Sequence, residues 1–135
     1  MYRALFSIIA MLSIGLLPAY ADKADKVETV SYKTLLSRNL SNLNKLSMGM
    51  TKQQLTELMG TFQSKTSNSV VPNPYITEPM PISGKTYEVL WYLTKKYPPF
   101  TPVKKSQATP VVLRDGKVIG WGDSYLGSIK AGKGD

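Results

Sequence analysis

The sequence of 135 residues predicts an α+β fold, in which two N-terminal helices pack on a three-stranded antiparallel sheet. Apolar residues recur at helical spacing over residues 31–59 and alternate at strand spacing over residues 85–94. A further pair of apolar runs flanks Asp115-Gly116, which is typical of a hairpin. Because both helices precede all the strands, we expect the helices to cover one face of a small sheet.

The N-terminal residues predict export from the cytoplasm. Met1–Arg3 carries positive charge, Ala4–Leu17 is an apolar run, and Pro18–Ala21 ends in a small-x-small pattern. This pattern is typical of a secretory signal peptide, here residues 1–21. The run is shorter than the ~20 residues that span a bilayer, and a retained anchor is the alternative. We expect a soluble periplasmic protein, or one held peripherally at the outer membrane. It is not expected to be a lipoprotein, because the chain has no cysteine to acylate.

The mature chain is predicted to form one domain. Residues 22–30 are polar and charged, so we interpret them as a flexible leader. The domain is expected to span residues 31–126. Residues 127–135 are rich in Gly and Lys and are interpreted as a flexible tail.

The first helix is predicted from about Ser31 to Lys45. Its apolar stripe follows i, i+4, i+8 and i+11 and is widened by one further leucine: Tyr32, Leu36, Leu40, Leu43 and Leu35. Asn39 and two other asparagines lower the intrinsic helix propensity, so packing must support this helix.

The second helix is predicted over residues 52–59, with a signal at each end. Thr51 is a good N-cap, and Gln54 completes a capping box with it. The apolar stripe consists of Leu55, Leu58 and Met59. Gly60 then ends the helix, because glycine adopts a left-handed backbone at no steric cost.

The next two segments differ sharply in composition. Residues 63–83 contain four prolines among many Ser and Thr residues, which predicts irregular structure. Residues 85–94 predict a strand, because their side chains alternate in character. One face is entirely apolar and is expected to pack on the helices: Tyr87, Val89, Trp91 and Leu93. The opposite face mixes Leu90 and Tyr92 with polar side chains, so we interpret it as a partly exposed candidate binding surface.

A hairpin closes the predicted sheet. Residues 109–114 and 117–121 flank Asp115-Gly116, a pair typical of a two-residue type I′ turn. The implied register makes three pairs: Leu113 with Val118, Val112 with Ile119, and Arg114 with Lys117. The last pair sets like charges opposite each other, which is unfavourable unless solvent screens them.

Composition excludes several classes of function. The chain has no cysteine and no histidine, so it lacks disulfides, a nucleophile–histidine triad and the ligands that zinc prefers. Its nine carboxylates are scattered, and no Gly-rich phosphate loop follows a strand. We therefore predict a protein that is not an enzyme and that binds no metal and no cofactor.

Positive charge is the second compositional signal. Lys and Arg number 17 against 9 acidic residues, a net charge of +8. Two lysine pairs flank a Pro-rich run within residues 95–105, which we name the basic loop. Candidate binding residues come from this loop and from nearby aromatic positions: Tyr92, Lys95, Lys96, Tyr97, Phe100, Lys104, Lys105 and Trp121. Either the lysines only solvate the loop, or the loop docks on an anionic interface. A nucleic-acid partner is not expected in the periplasm.

Residues 42–60 resemble the paired-helix motif of the BamE (SmpA/OmlA)-like envelope proteins, through Gly49-Met50-Thr51 and Gly60. Val89–Leu93 and Thr109–Gly122 resemble the later strand and closing hairpin of those proteins. The layout is closest to a group of small, uncharacterised exported proteobacterial proteins. The fold-forming positions that carry over are Gly49, Met50, Gly60, Asp115, Gly116 and Trp121.

The resemblance implies a non-enzymatic binding module with a fold similar to that of BamE and of a secreted β-lactamase inhibitor. BamE itself is an accessory lipoprotein of the outer-membrane β-barrel assembly machinery, and this chain departs from it in lacking the acylated cysteine.

Two functional hypotheses follow. The favoured one is a periplasmic adaptor, an accessory subunit of a cell-envelope assembly or secretion complex. It would bind a partner protein through an exposed aromatic patch that includes Tyr92 or Trp121. The alternative is a module that binds anionic lipid or lipopolysaccharide at the outer membrane through the four lysines of the basic loop.

Overall fold

The computed structural model describes residues 26–67, 69–96 and 101–132, and the predicted signal peptide lies outside them. Within these residues the elements are, in chain order, β1 Glu28–Val30, α1 Tyr32–Leu43, α2 Lys52–Met59, β2 Phe62–Lys65, β3 Val70–Pro72, β4 Ile76–Ile82, β5 Lys85–Leu93, a 3₁₀ turn Lys105–Gln107, β6 Ala108–Arg114, β7 Lys117–Trp121 and α3 Asp123–Lys130. The α+β class is confirmed. The described residues form two sheets and three helices, however, where one sheet and two helices were predicted.

The two sheets differ in size and direction. In the smaller one, β1 is parallel to β2 and β2 is antiparallel to β3. The larger sheet is antiparallel in the order β4-β5-β6-β7, and its last three strands are the three that were predicted. The prediction of irregular structure over residues 63–83 is wrong, because this segment holds most of β2 and all of β3 and β4.

β4 forms despite two prolines because it lies at the edge of the larger sheet. The turn Ser83-Gly84 joins it to β5, and both residues have positive φ, at 51° and 79°. A two-residue turn makes its flanking residues, Ile82 and Lys85, a hydrogen-bonded pair. Hydrogen-bonded and non-hydrogen-bonded pairs alternate along the ladder, so the backbone nitrogens of Pro79 and Pro81 point away from β5. Their missing N–H groups therefore remove no ladder bond.

The N-terminal strand corrects the predicted leader. Glu28–Val30 pairs with β2 instead of remaining flexible. Arg38 of α1 contacts this strand, since both terminal nitrogens of its guanidinium donate to the Glu28 carboxylate at 3.0 Å. These bonds lower the pKa of the Glu28 carboxyl. Arg38 also lies 5.0 Å from the centre of the Phe62 ring in β2.

The C-terminal helix corrects the predicted tail, because residues 127–130 belong to α3. Leu126 and Ile129 of this helix are buried against the larger sheet. Leucine and isoleucine three positions apart form one apolar stripe, and this stripe explains why the segment is ordered as a helix.

Both faces of the larger sheet are covered. The predicted apolar face of β5 packs with Leu35 and Leu36 of α1, with the smaller sheet and with α3. The opposite face, with Leu90 and Tyr92, packs with α2 and with Leu43 at the end of α1. Leu90 and Tyr92 are buried, so the prediction of a partly exposed face is wrong. The helices therefore do not share one face of the sheet.

The buried side of α1 is rotated from the predicted stripe. Leu40 is 50% exposed, and Asn39 is buried in its place. The Asn39 Nδ2 donates to Asn73 Oδ1 at 2.9 Å and to the Leu93 carbonyl at 2.8 Å. Asn73 in turn donates to two carbonyls at the end of α2, those of Met59 and Gly60, at 3.3 and 3.0 Å. This polar network joins α1, α2, β5 and the segment after β3.

The predicted capping box of α2 and the end of the helix before Gly60 are confirmed, but the predicted left-handed conformation of Gly60 is not. Thr51 Oγ1 accepts from the Gln54 amide at 3.1 Å, and Gln54 Oε1 accepts from the Thr51 amide at 2.9 Å. Gly60 has a φ of +85°, which favours glycine, but its ψ of 150° is extended and not left-handed helical.

The predicted hairpin is confirmed in its turn and in two of its three pairs. Asp115 and Gly116 both have positive φ, at 53° and 77°. Leu113 lies opposite Val118 and Arg114 opposite Lys117, as expected. An irregularity between Val112 and Leu113 shifts the register, so Val112 lies opposite Gly120 and not Ile119.

Candidate functional site

The basic loop leaves the larger sheet where β5 ends, and the chain returns to the sheet at β6. The amides of Thr94 and Lys95 both donate to the Gln107 carbonyl at 3.0 Å, which holds the two ends of the loop together. Tyr97 and Phe100 lie outside the described residues, so their predicted role stays a prediction.

Two of the four candidate lysines are engaged with acidic side chains. Lys105 Nζ donates to both carboxylate oxygens of Glu78, at 3.0 and 3.2 Å, and lies 5.0 Å from the centre of the Trp91 ring. Lys95 Nζ lies 3.3 Å from the Asp123 carboxylate at the start of α3. Both pairs are partly exposed, so each contributes little to stability. Their effect is to neutralise charge and to position the two ends of the loop.

The other two lysines face solvent. Lys96 and Lys104 are exposed, and neither forms an ion pair with another described residue. Of the predicted basic site, these two side chains have the accessibility that contact with an anion requires.

The aromatic candidates do not join the lysines in one site. Tyr92 is fully buried in the core between the sheet and α2, so it forms no part of an exposed patch. Its hydroxyl has no hydrogen-bond partner among the described residues, and burial raises the pKa of the phenol. Trp121 is half-buried against the same core, at the end of β7.

A second surface lies at the opposite end of the larger sheet, where β6 turns into β7. It is a groove of about 520 Å³, which we name the turn groove. Its lining combines one loop before α2 with the hairpin: Met48, Gly49, Arg114, Asp115, Lys117, Val118 and Ile119. The resemblance had assigned only a fold-forming role to this region.

Backbone bonds hold the loop of the turn groove against the outer edge of β7. The Gly49 amide donates to the Val118 carbonyl at 2.7 Å, and the Val118 amide donates to the Met50 carbonyl at 2.8 Å. The Lys52 amide donates to the Gly116 carbonyl at 3.0 Å. These bonds satisfy part of a strand edge that would otherwise be open to pairing, and they fix the loop backbone.

The side chains of the turn groove combine exposed apolar surface with positive charge. Met48 is 72% exposed, more than any other large exposed hydrophobic residue that the structure describes. Arg114 and Lys117 lie opposite each other in the ladder, and Lys117 is exposed. The sequence analysis noted the opposed like charges of this hairpin but did not connect them with binding.

A smaller cleft of about 270 Å³ lies between the β2–β3 connection and residues 101–103. Hydroxyl and valine side chains line it, and the Tyr75 hydroxyl donates to the Val103 carbonyl at 3.0 Å. Across the three described ranges, no cluster of acidic side chains has a composition that could hold a metal ion. No helix in those ranges has the length and apolar character needed to cross a bilayer.

Comparison with known proteins gives a family but no activity. No curated protein and no solved structure matches the chain. A family model described as a protein of unknown function, DUF3192, matches residues 18–127. That match shows no link to the BamE-like proteins. Because it covers most of the chain, the protein belongs to the DUF3192 family.

Proposed function

We propose that the protein is a non-enzymatic periplasmic adaptor, an accessory subunit of a cell-envelope assembly or secretion complex of the kind that BamE-like proteins serve. One observation carries the proposal: the turn groove presents Met48, exposed on a fixed loop, beside Arg114 and Lys117. Methionine and arginine are enriched at protein interfaces. Both faces of the larger sheet are already covered, so a partner would contact other surfaces, and the loop at the β6–β7 end is one of them.

The periplasmic location rests on the N-terminal sequence, whose charged, apolar and small-residue segments are typical of a signal peptide. In that compartment, protein surfaces and envelope lipids are the abundant partners. The proposal includes no cofactor and no metal.

Site-specific photo-crosslinking in cells tests the adaptor function. A photoreactive amino acid replaces Met48 in the full chain, and a control variant carries it at Leu40, which is exposed on α1 outside the groove. We expect position 48 to give a discrete adduct with an envelope protein and position 40 to give none. An equal pattern from both positions, or no adduct at position 48, would count against the groove as the contact surface.

A second candidate function is binding of anionic lipid or lipopolysaccharide, which the exposure of Lys96 and Lys104 favours. The pairing of Lys95 with Asp123 and of Lys105 with Glu78 weakens it, because two of the four charges are already neutralised.

Vesicle flotation separates the two candidates. Vesicles of anionic and of zwitterionic phospholipid are mixed with the mature chain and with Lys96→Ala/Lys104→Ala, using Lys33→Ala/Lys45→Ala as a control for net charge. The adaptor function predicts the same weak, salt-sensitive binding for all three proteins. Selective loss in the Lys96/Lys104 variant would instead support the lipid-binding function.

A further inference from the structure

We infer that the cleft beside β3 binds an extended segment of a partner protein, which adds a short strand to the smaller sheet. This cleft, which we name the β3 cleft, is the space of about 270 Å³ between the β2–β3 connection and residues 101–103. Its far wall belongs to the basic loop, whereas the turn groove lies at the other end of the larger sheet. The site therefore goes beyond the proposed function and does not depend on the turn groove.

The outer edge of β3 offers one backbone donor and one backbone acceptor. The Thr66 amide donates to the Ser69 carbonyl at 2.7 Å, so these residues form a hydrogen-bonded pair. Hydrogen-bonded and non-hydrogen-bonded pairs alternate along an antiparallel ladder, so the next pair, Lys65 and Val70, makes no ladder bonds. The N–H and C=O of Val70 therefore point away from β2, and no described residue bonds to them. An edge of this kind is where β-strand addition occurs.

The β3 cleft lies on this edge. Its lining includes Val70, whose side chain is 49% exposed, and Val71, which is buried in the core. Successive side chains of a strand point to opposite faces, so a space that touches both valines lies at the edge of β3 and not on one face. A chain in the cleft is therefore beside the backbone of Val70.

The chemistry of the edge favours a polypeptide as the occupant. A lipid chain in the cleft would leave the N–H and C=O of Val70 without partners and away from water, which is costly. A peptide backbone satisfies both groups at once. A second copy of this protein would bring a whole sheet to the edge, and the wall at residues 101–103 stands in its way. The cleft is smaller than the ~300 Å³ at which typical ligand sites begin, so small or β-branched side chains suit it.

The far wall of the β3 cleft is anchored at two points. The Tyr75 hydroxyl donates to the Val103 carbonyl at 3.0 Å. Lys105, two residues further along, donates to the Glu78 carboxylate of β4 at 3.0 Å. Because these contacts position the wall before a ligand arrives, binding requires little further ordering of the chain.

Two exposed lysines border the cleft. Lys65 is the cross-strand neighbour of Val70, and Lys104 follows Val103 in the chain. Neither lysine forms an ion pair within the part of the chain that the structure describes. An acidic residue on each side of the bound segment would complement these two charges. The partner segment is therefore expected to combine small or β-branched central residues with acidic flanks.

A backbone-modified peptide tests the inference on the full mature chain. The probe is Gly-Asp-Thr-Val-Thr-Asp-Gly with an N-terminal fluorophore, and the comparison peptide carries an N-methyl group on the valine nitrogen. The two peptides have the same side chains and charge, but the second lacks the N–H that would donate to the Val70 carbonyl. Fluorescence anisotropy should show at least about tenfold weaker binding of the methylated peptide. Equal affinity of the two peptides, or binding of neither, would overturn the inference.

Matched variants of one edge residue test the other bond. Val70→Pro removes the N–H that points into the cleft and leaves the ladder bonds to β2 in place, so the probe should bind about tenfold more weakly. Val70→Thr keeps this N–H and the branched shape, so affinity should change less than about twofold. Equal affinity of the two variants would contradict strand addition at β3. If Val70→Pro does not fold, the comparison of the two peptides on the parent chain decides the question.

Charge variants test the predicted acidic flanks. Lys65→Gln/Lys104→Gln should weaken binding of the probe more than Lys33→Gln/Lys45→Gln, which has the same net charge and lies on and after α1. The difference should shrink as salt rises. Equal effects of the two double variants would show that the lysines at the cleft play no specific part.

Two further results separate this site from other occupants and from the proposed function. A concentration-dependent dimer of the parent chain that Val70→Pro abolishes would place a second copy on the edge, and the inference would be wrong. The crosslink at position 48 should be unaffected by Val70→Pro. If position 48 gives no adduct while the probe binds as expected, the turn groove is rejected as a contact surface and the β3 cleft stands.

Discussion

Asn39→Ala removes the centre of the buried polar network. The substitution deletes the Nδ2 donor, so Asn73 Oδ1 and the Leu93 carbonyl each lose a bond, of 2.9 and 2.8 Å. Each buried acceptor left without a partner costs about 1–3 kcal/mol. Alanine is the better helix former and returns about 0.5 kcal/mol. The substitution also removes Asn39 Oδ1, a buried acceptor with no partner among the described residues, which returns about 1 kcal/mol. The midpoints of these ranges give a net loss of about 2.5 kcal/mol in the free energy of unfolding.

Leu40→Ala is the matched control on the neighbouring residue. Leu40 is 50% exposed, so its truncation removes about half of a leucine's burial, roughly 1 kcal/mol. The helical stripe predicted from sequence gives the opposite order, because it makes Leu40 a core residue, whose truncation costs about 2–5 kcal/mol. It also leaves Asn39 in solvent, where alanine would be slightly stabilising.

Urea unfolding of the mature chain, followed by far-ultraviolet circular dichroism and by tryptophan fluorescence, measures both variants. Coincident transitions from the two probes would justify a two-state comparison. The structural argument fails if Asn39→Ala is as stable as the parent chain. It also fails if Leu40→Ala is the more damaging of the two substitutions.

Three further substitutions test the packing, two of them in the core and one on the exposed side of α3. Tyr92→Phe removes a buried hydroxyl that has no partner among the described residues, so we expect equal stability or a gain of about 1 kcal/mol. Burial raises the pKa of Tyr92, so above about pH 10 the unfolded chain loses this proton first. The parent chain should then lose up to about 1.4 kcal/mol per pH unit relative to Tyr92→Phe, whereas below pH 9 the stability difference between the two proteins should not change with pH. Unfolding at pH 9 and pH 11 checks this, and parallel profiles would argue against burial of the phenol. Gly120→Ala would put a Cβ closer to the Tyr125 ring than van der Waals contact allows, so we expect a loss of about 1–3 kcal/mol. Gly127→Ala, with nothing within 4 Å of the added Cβ in α3, should instead gain about 0.5–1 kcal/mol. Thermal melts compare these two variants, and equal melting temperatures would contradict the close packing of Tyr125 on β7.

The elements that were predicted correctly have local causes. The Thr51–Gln54 capping box and the Asp115-Gly116 turn each involve residues within four positions of each other, so their physical chemistry is visible in the sequence. β4 was missed because proline has no backbone N–H to donate, so a segment with several prolines predicts irregular structure. Only the sheet order shows that Pro79 and Pro81 lie in an edge strand, where the missing N–H groups matter little.

The candidate sites also combine local features, which the sequence shows, with long-range contacts, which it does not. Composition and spacing identified the four lysines of the basic loop, and their exposure could not be ranked from sequence. Glu78 and Asp123, which neutralise Lys105 and Lys95, lie 27 and 28 residues away along the chain. The turn groove was missed as a binding surface because its loop and its hairpin come from distant segments, residues 48–49 and 114–119.

Caps, turns, the alternation of β5 and the absence of cysteine and histidine were therefore available from the amino-acid order alone. They were enough for the α+β class and for the prediction of a non-enzymatic binding protein. Tertiary packing decided which side of α1 is buried, that both faces of the sheet are covered, and that Tyr92 is enclosed while Met48 is exposed. Burial and charge pairing depend on neighbours that folding brings together from distant parts of the chain. An amphipathic pattern shows that one side of an element is buried, but it does not show which other element covers that side.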